Sequence, residues 1–276
     1  MYIMATELTM QDLSDIFQLF NHKGWLIDEK NKSSLYNRFR RTYEKFDTEE
    51  RKLLINLSYQ YEMVPLSQYQ TLLTKVLSNT VKNHLGQKQT IYVYPIKKKV
   101  HNDYVKSADV VTYLCNGTNI RYIDELSKKE FVCLGSLERV KEKKPNILKS
   151  KLVIVDDFIG SGNYATDVVN EIITLDIPVE QIVIVTLYIT QNALDRVQNL
   201  SCGVEYGEVI ESCISKLTAS EKEILARMEQ AIGVDAEFSF GYSHSGALIS
   251  LIRTPNNTLP VFWKTNGRAY TPPFPR

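Results

Sequence analysis

The run Lys151-Leu152-Val153-Ile154-Val155-Asp156-Asp157-Phe158-Ile159-Gly160-Ser161-Gly162-Asn163-Tyr164 holds the residues best suited to chemistry in this 276-residue chain. Four apolar residues lead into two adjacent carboxylates and a small-residue loop. A helix then follows, marked by Tyr164, Ala165, Val168, Val169, Ile172 and Ile173. Asp156 and Asp157 are acceptors suited to a diol such as the ribose 2′- and 3′-hydroxyls, or to a hydrated magnesium ion reached through water. Gly160, Ser161, Gly162 and Asn163 turn tightly and leave N–H groups open at a helix N-terminus, where hydrogen bonding and the helix dipole favour a phosphate. Together these describe a cradle for a ribose 5-phosphate, beyond the carboxyl end of a strand, where open α/β sheets bind ligands. An Asp-Asp pair before Gly and Ser also occurs as a plain turn with a helix cap. Here the apolar run before it and the amphipathic helix after it, in register, favour the ligand reading. Neither a Gly-Lys-Ser/Thr loop nor a helix-opening GxGxxG is present, which excludes two common nucleotide-binding modes.

Two further segments carry candidate groups. Pro255-Asn256-Asn257 reads as a turn, since proline presets φ and asparagine tolerates the left-handed region. The same two amides, with Trp263 close by, also offer hydrogen bonds and a stacking face for a planar group, the furnishing of a nucleobase pocket. Both readings stay open. His244, within Gly241-Tyr242-Ser243-His244-Ser245-Gly246, reads as a loop histidine, because no GxSxG elbow exists around it.

The elements that must position these groups are legible from periodicity. Up to about residue 86 the apolar spacing is helical. Thr9 and Asp12 form a capping box before Leu13, Ile16, Phe17 and Phe20, and Gly24 terminates that helix. Leu35, Phe39, Tyr43 and Phe46 make a second stripe, and Leu53, Leu54 and Leu57 a third. Pro65 separates these from a fourth stripe, Tyr69, Leu72, Leu73, Val76, Leu77 and Val81, for which Ser67 and Gln70 would form the capping box. From Thr90 short apolar runs alternate with helical stretches, the pattern of an α/β fold with a mainly parallel sheet flanked by helices. Residues 91–94, 131–134, 152–155 and 182–187 are the expected strands, with 204–210 and 247–252 weaker. Thr218 and Glu221 cap a further helix, stopped by Gly233, and the proline-rich tail should be irregular. The expected division is a helical region over 1–87 and an α/β domain over 88–276, closed by a hood-like segment at about 234–276.

Composition narrows the class. With 43% hydrophobic and 24% charged residues the chain is globular rather than disordered. Its net charge of +1 offers no whole-chain attraction to nucleic acid or to an anionic membrane. Cys115, Cys133, Cys202 and Cys213 form no CxxC pair, and the chain start lacks a signal pattern, so a cytoplasmic protein with reduced thiols is expected. The histidines share no metal-ligand spacing.

The stretch from Leu152 to Thr166 resembles the phosphoribosyl-diphosphate signature of type I phosphoribosyltransferases, in which apolar residues, two acids and a Thr/Gly-rich loop form the 5-phosphate site. Ser161 and Gly162 fit that signature. Gly160 and Tyr164 stand where it commonly has threonine, and Asn163 replaces a frequent glycine. Phe240-Gly241-Tyr242, Thr254-Pro255-Asn256-Asn257-Thr258-Leu259-Pro260-Val261-Phe262-Trp263 and the ending Pro272-Pro273-Phe274-Pro275-Arg276 resemble the phosphoribosyltransferase-like (PRTase-CE) proteins of bacterial conflict systems, retrons among them. The resemblance covers most of 88–276 and the helical region only loosely.

That resemblance implies binding of phosphoribosyl diphosphate with magnesium, with Asp156 and Asp157 holding the ribose. Gly160, Ser161, Gly162, Asn163 and Tyr164 would hold the 5-phosphate. Lys106 and Ser107 lie where such enzymes place their pyrophosphate loop, while Lys97, Lys98 and Lys99 read as solvated surface. Asn256, Asn257 and Trp263 would form an acceptor hood if the tail folds over the loop. The basic run 139–151 is either a solvated loop or a mobile flap closing on diphosphate. The implied role is an effector or toxin that modifies or depletes a nucleotide, a nucleic acid or a protein. Partner proteins of a defence complex would restrain it and mediate any contact with nucleic acid. A non-catalytic sensing scaffold using the same cradle is the alternative, and a nucleic-acid-binding helical half is the weakest reading given the balanced charge.

Overall fold

The structure is a computed structural model that describes residues 7–98, 105–267 and 270–276. In chain order its elements are α1 (Met10–Lys23), α2 (Leu35–Tyr43), α3 (Thr48–Gln60), β1 (Glu62–Met63), α4 (Leu66–Thr80), β2 (Thr90–Pro95), α5 (Ser107–Leu114), α6 (Asp124–Ser127), β3 (Glu130–Cys133), α7 (Leu137–Ile147), β4 (Leu152–Ile159), α8 (Asn163–Ile173), β5 (Ile182–Thr190), α9 (Gln191–Gln198), β6 (Gly203–Ile210), α10 (Ala219–Ala231) and β7 (Ile249–Ser250). They form two compact units, one running from Val64 to Ile210 and the other joining the residues up to Met63 with Glu211–Arg276. Neither boundary falls at 87/88. The fourth helix belongs with the sheet, and the tail belongs with the first three helices.

The Val64–Ile210 unit is an α/β layer structure. Its five strands are all parallel, in the order β3-β2-β4-β5-β6. β5 is buried at all nine positions, which explains why Ile182-Val183-Ile184-Val185 reads as an unbroken apolar run rather than an alternating one. On one face Tyr92, Tyr94, Ile154 and Ile184 meet Val140 of α7, Val168 and Ile172 of α8, and Val197 of α9 in a single core. α4 and α5 pack on the sheet as well, α4 against β5 and β6, α5 against β2 and β4. Each buried Ile or Val contributes roughly 1.5–3 kcal/mol of transfer free energy, which sets the scale of what holds the sheet together.

Three local expectations change. The α4 helix starts one residue before Ser67, with Pro65 as its N-cap and no side-chain cap bond, because proline's fixed φ already delivers the chain into the first turn. The segment 139–151 is neither a flap nor a loop over most of its length. Leu137–Ile147 is helix α7, capped by Ser136, with Leu137, Val140 and Ile147 buried and its lysines facing out. Residues 247–252 shrink to the two-residue strand β7, which pairs in parallel with β1, because the five-stranded sheet ends at β6.

In the other unit, the Thr9/Asp12 and Thr218/Glu221 capping boxes are both formed. An aromatic cluster binds the tail to the helices: Tyr61 stacks on Phe274 at 4.2 Å, and Phe274 meets Trp25 edge-on at 5.4 Å. The turn at 255–258 is locked from inside. Asn257 is buried, its amide donates to the Tyr242 carbonyl at 3.1 Å, and its own carbonyl accepts from Ser245 Oγ at 2.8 Å. Gly241 has φ +81°, and a Cβ there would stand 2.2 Å from the Asn257 carbonyl oxygen, so only glycine fits against this turn. Asn257→Ala should therefore lower the thermal stability of the protein by about 1–3 kcal/mol through the unpaired Tyr242 carbonyl and lost packing; differential scanning calorimetry checks this, and an unchanged melting temperature would leave the amide free for a ligand role.

Candidate functional site

The chain passes from β2 to β3 on one side and then crosses back to β4 on the other, so the strand order reverses between β2 and β4. Open α/β sheets bind ligands at the carboxyl ends of strands on either side of such a reversal. β2 pairs with β4 only as far as Pro95 with Val155, whereas β4 continues beside β5 through Asp156 with Thr186 to Ile159 with Ile189. The acidic pair consequently sits inside β4, not at its end, on the length of strand that has outrun β2. This step at the sheet's edge is where both carboxylates stand.

The two acids stay in contact, Asp157 hydrogen-bonding Asp156 through its side chain. Asp157 is buried, and its Oδ2 accepts from the hydroxyl of Tyr69 at 2.7 Å. Asp156 keeps a partial opening to solvent within an otherwise enclosing protein volume, and its Oδ1 accepts the N–H of Asp157 at 2.9 Å. Burial first, and then the negative charge of Asp157, push the Asp156 carboxyl well above the ordinary carboxylate range, while Lys106 pulls in the opposite direction.

Above this step two cationic arms meet one tyrosine. Lys106 Nζ donates to the Tyr164 hydroxyl at 2.6 Å and lies 4.3 Å from that ring's centre. The backbone N–H of Lys98 donates to the same hydroxyl at 3.0 Å. Asp109 organises both arms: its carboxylate accepts the N–H of Lys106 at 2.7 Å at the start of α5 and pairs with Lys97 Nζ at 3.2 Å. Tyr94 Oη donates to the Lys97 carbonyl at 2.7 Å, fixing the chain as it leaves β2. Lys97 is thus buried and paired rather than solvated. Lys98 pairs through Nζ with Asp167 at 2.6 Å, which raises its proton affinity, and Lys99 lies outside the described residues. Ser107 is the first residue of α5.

The small-residue loop is the three residues Gly160-Ser161-Gly162, with Asn163 already opening α8. Gly162 caps that helix at φ +76° and supplies no side-chain acceptor, so the first turn of α8 offers its N–H groups outward, with Ser161 Oγ near the N–H of Asn163 at 3.4 Å. A Cβ at Gly162 would meet Arg196 Cδ at 2.9 Å and the Ala193 carbonyl oxygen at 3.3 Å, so α9 itself dictates glycine here. Thr190 ties the corner, donating to the Gly160 carbonyl at 2.5 Å and accepting the N–H of Ala193 at 3.1 Å.

Of the residues singled out from the sequence, the structure brings Asp156, Asp157, Gly160 to Tyr164 and Lys106 to one end of one sheet. Asn257 and Trp263 belong to the other compact unit, where Trp263 Nε1 donates to the Thr258 carbonyl at 2.6 Å and Asn256 accepts the N–H of Tyr242 through its carbonyl. Tyr69, Tyr94, Asp109 and Thr190 were not anticipated. Two signals could have found some of them: a tyrosine on a buried helical stripe must find a hydrogen-bond partner, and an acid three residues into α5 caps the chain before it.

A family model, PRTase-CE, matches residues 34–276. No curated protein matches the chain. Among solved structures, a hypothetical protein from Neisseria gonorrhoeae with bound ppGpp is similar at 8% identity and a TM-score of 0.35, over 55% of this chain and 85% of that one. The acidic pair, the loop after it and the tail motifs all lie inside the matched span, and the chain belongs to the PRTase-CE family as a phosphoribosyltransferase-like protein.

Proposed function

We propose that this protein binds phosphoribosyl diphosphate with magnesium at the ends of β2 and β4 and passes the phosphoribosyl group to an acceptor or to water, as the effector of a bacterial defence system. One observation carries the site: an ammonium group and a backbone N–H, from Lys106 and Lys98, converge on a single oxygen beside a partly open, proton-hungry carboxylate. Donors gathered in this way suit an anionic oxygen, and a carboxylate beside them suits a hydroxyl. The effector role rests on the family resemblance of the tail motifs.

In this reading the 5-phosphate lies at the N-terminus of α8, against the N–H groups left uncapped by Gly162. The ribose hydroxyls donate to Asp156, which must first give up its proton. Lys106 turns from Tyr164 to the diphosphate. The acceptor's lone pair forms the bond to C1 as the C1–O bond breaks, and that electron pair leaves with the diphosphate, whose charge Lys106 helps absorb. The donor set, one partly open carboxylate beside a second that is buried, fits a magnesium ion carried by the substrate and touched through water; when bound, the ion supplies charge neutralisation to the diphosphate.

A second reading is a non-catalytic sensor that binds the same ligand. Tyr164 favours it, since a bulky hydroxyl already engaged by Lys106 and Lys98 stands where the signature commonly has a threonine. Diphosphate release measured against candidate acceptors separates the two readings.

Isothermal titration of magnesium phosphoribosyl diphosphate into the protein should give saturable binding that strengthens as pH rises through and above the ordinary carboxylate range, because Asp156 must be ionised to accept the diol. Absence of binding by folded protein at pH 8 would sink the proposal. Stability should move the other way. The folded state holds the Asp156 proton more tightly than the unfolded chain does, so the charged form destabilises, increasingly as pH rises from the ordinary carboxylate range through the raised folded value. Asp156→Asn mimics the protonated acid, and near neutral pH it should raise the melting temperature by about 2–4 °C while reducing affinity at least about tenfold. Calorimetry reads both, and a variant that loses stability at that pH would contradict the account of Asp156.

A further inference from the structure

We infer that Tyr69 is a positioning residue of this site: its hydroxyl holds Asp157 turned into the protein, so that Asp157 orients Asp156 and Asp156 alone meets the ribose. The inference rests on the ligand reading above and assigns the two acids different tasks.

Tyr69 lies in the first turn of α4 and is fully buried, and its hydroxyl reaches Asp157 Oδ2 at 2.7 Å. A tyrosine on a fixed backbone turns about only two torsions, so its hydroxyl is delivered to one place. The backbone there is fixed twice over. Pro65 sets the entry into α4, and Gln68, one residue before Tyr69, donates through Nε2 to the hydroxyl of Tyr188 on β5 at 2.8 Å. The first turn of α4 is thereby pinned to the ends of both β4 and β5. From Asp157 the chain of contacts continues, since its side chain hydrogen-bonds Asp156, beside the backbone N–H that donates to Asp156 Oδ1 at 2.9 Å. Asp157 cannot turn to a ligand without leaving Tyr69. The order of contacts is Tyr69, Asp157, Asp156 and then the ribose.

A tyrosine serving the fold alone would be content with any acceptor, because burial requires only that its hydroxyl be paired. Here the acceptor is one oxygen of a carboxylate in the acidic pair, and hydrogen bonds to charged groups are the ones whose loss is felt most. Removing the hydroxyl therefore perturbs the acids before it perturbs the core.

The test uses the full-length protein with Tyr69→Phe, which deletes one oxygen and keeps the ring. Two readouts are taken: carboxyl-carbon NMR titration of Asp156 and Asp157 without ligand, and calorimetric affinity for magnesium phosphoribosyl diphosphate at pH 7.5. The expected result is an altered carboxyl titration, a melting temperature lowered by about 2–6 °C with the fold retained, and an affinity reduced about tenfold. In an Asp157→Asn background the same substitution should cost less than twofold, because Tyr69 acts through Asp157. An altered titration with unchanged affinity overturns the positioning role while leaving the ligand reading intact. Failure of the wild-type protein to bind overturns that reading, and an unchanged titration in Tyr69→Phe then overturns the hold on Asp157 independently. Should Tyr69→Phe not fold, fluorotyrosine at position 69, a stronger donor of the same shape, gives the same decision: a shifted affinity supports the role and an unshifted one ends it.

Discussion

Asp156 and Asp157 stand side by side in a strand whose preceding four residues are fully buried, and two carboxylates in such surroundings must each be given donors or a proton. Much of the α/β unit can be read as the answer to that demand. Asp157 takes its donor from Tyr69, on the helix α4 whose buried stripe of Leu72, Leu73, Val76 and Leu77 packs it against this sheet. Asp156 takes the N–H of Asp157 and the field of Lys106, and keeps a proton more readily than a free carboxyl would. Lys106 is in reach only because Asp109 fixes the start of α5 and, through Lys97, the end of β2. β4 outruns β2 at this point, so among the described residues no neighbouring strand on that side runs alongside Asp156.

The loop after the acids answers a steric demand instead. α8 must begin three residues beyond β4, and α9 packs close enough that its Arg196 stem and Ala193 carbonyl leave no room for a Cβ at Gly162. Shortness and smallness are therefore imposed by the neighbouring helix as well as by any phosphate. Thr190 does the joining, one hydroxyl serving both as the cap of α9 and as a donor to Gly160. Two adjacent strand-to-helix corners are thereby tied together at one hydroxyl.

How much of this was legible in the sequence follows from what each signal measures. Period and caps report local structure, and they foresaw α1, α10 and the run of parallel strands, because apolar runs such as 182–187 have no other sensible burial. They also placed Asp156, Asp157 and the loop after them at the passage from one strand to the next helix, where the acids lie inside β4 and the loop joins it to α8. They misjudged α7, whose lysines drew attention away from Leu137, Val140 and Ile147 at helical spacing. They divided the chain at 87/88 because the helical pattern runs on through α4, whereas packing assigns α4 by what it touches. Tyr69 stayed hidden because its partner lies 88 residues away in sequence, and of the bonds to Asp109 only the cap to Lys106 is local, the pairing with Lys97 lying 12 residues away.

A comparison between two acids sets the β4 pair apart from a carboxylate whose role is structural. Glu229, on α10, is buried and its carboxyl is raised to about 7, yet its need is plain. It accepts the N–H of Phe240 at 3.0 Å and the hydroxyl of Ser239 at 2.9 Å, and so holds a segment in which Phe240, Ser243 and His244 all have positive φ. That acid is engaged by the strained backbone it supports. Asp156 supports nothing comparable: beyond Asp157, no donor among the described residues hydrogen-bonds its carboxylate. A fold indifferent to ligands would be better served by an amide or an apolar residue at this position. A carboxyl that is partly open, beside converging cationic donors and at the reversal of a parallel sheet, is what the proposed ligand reading rests on.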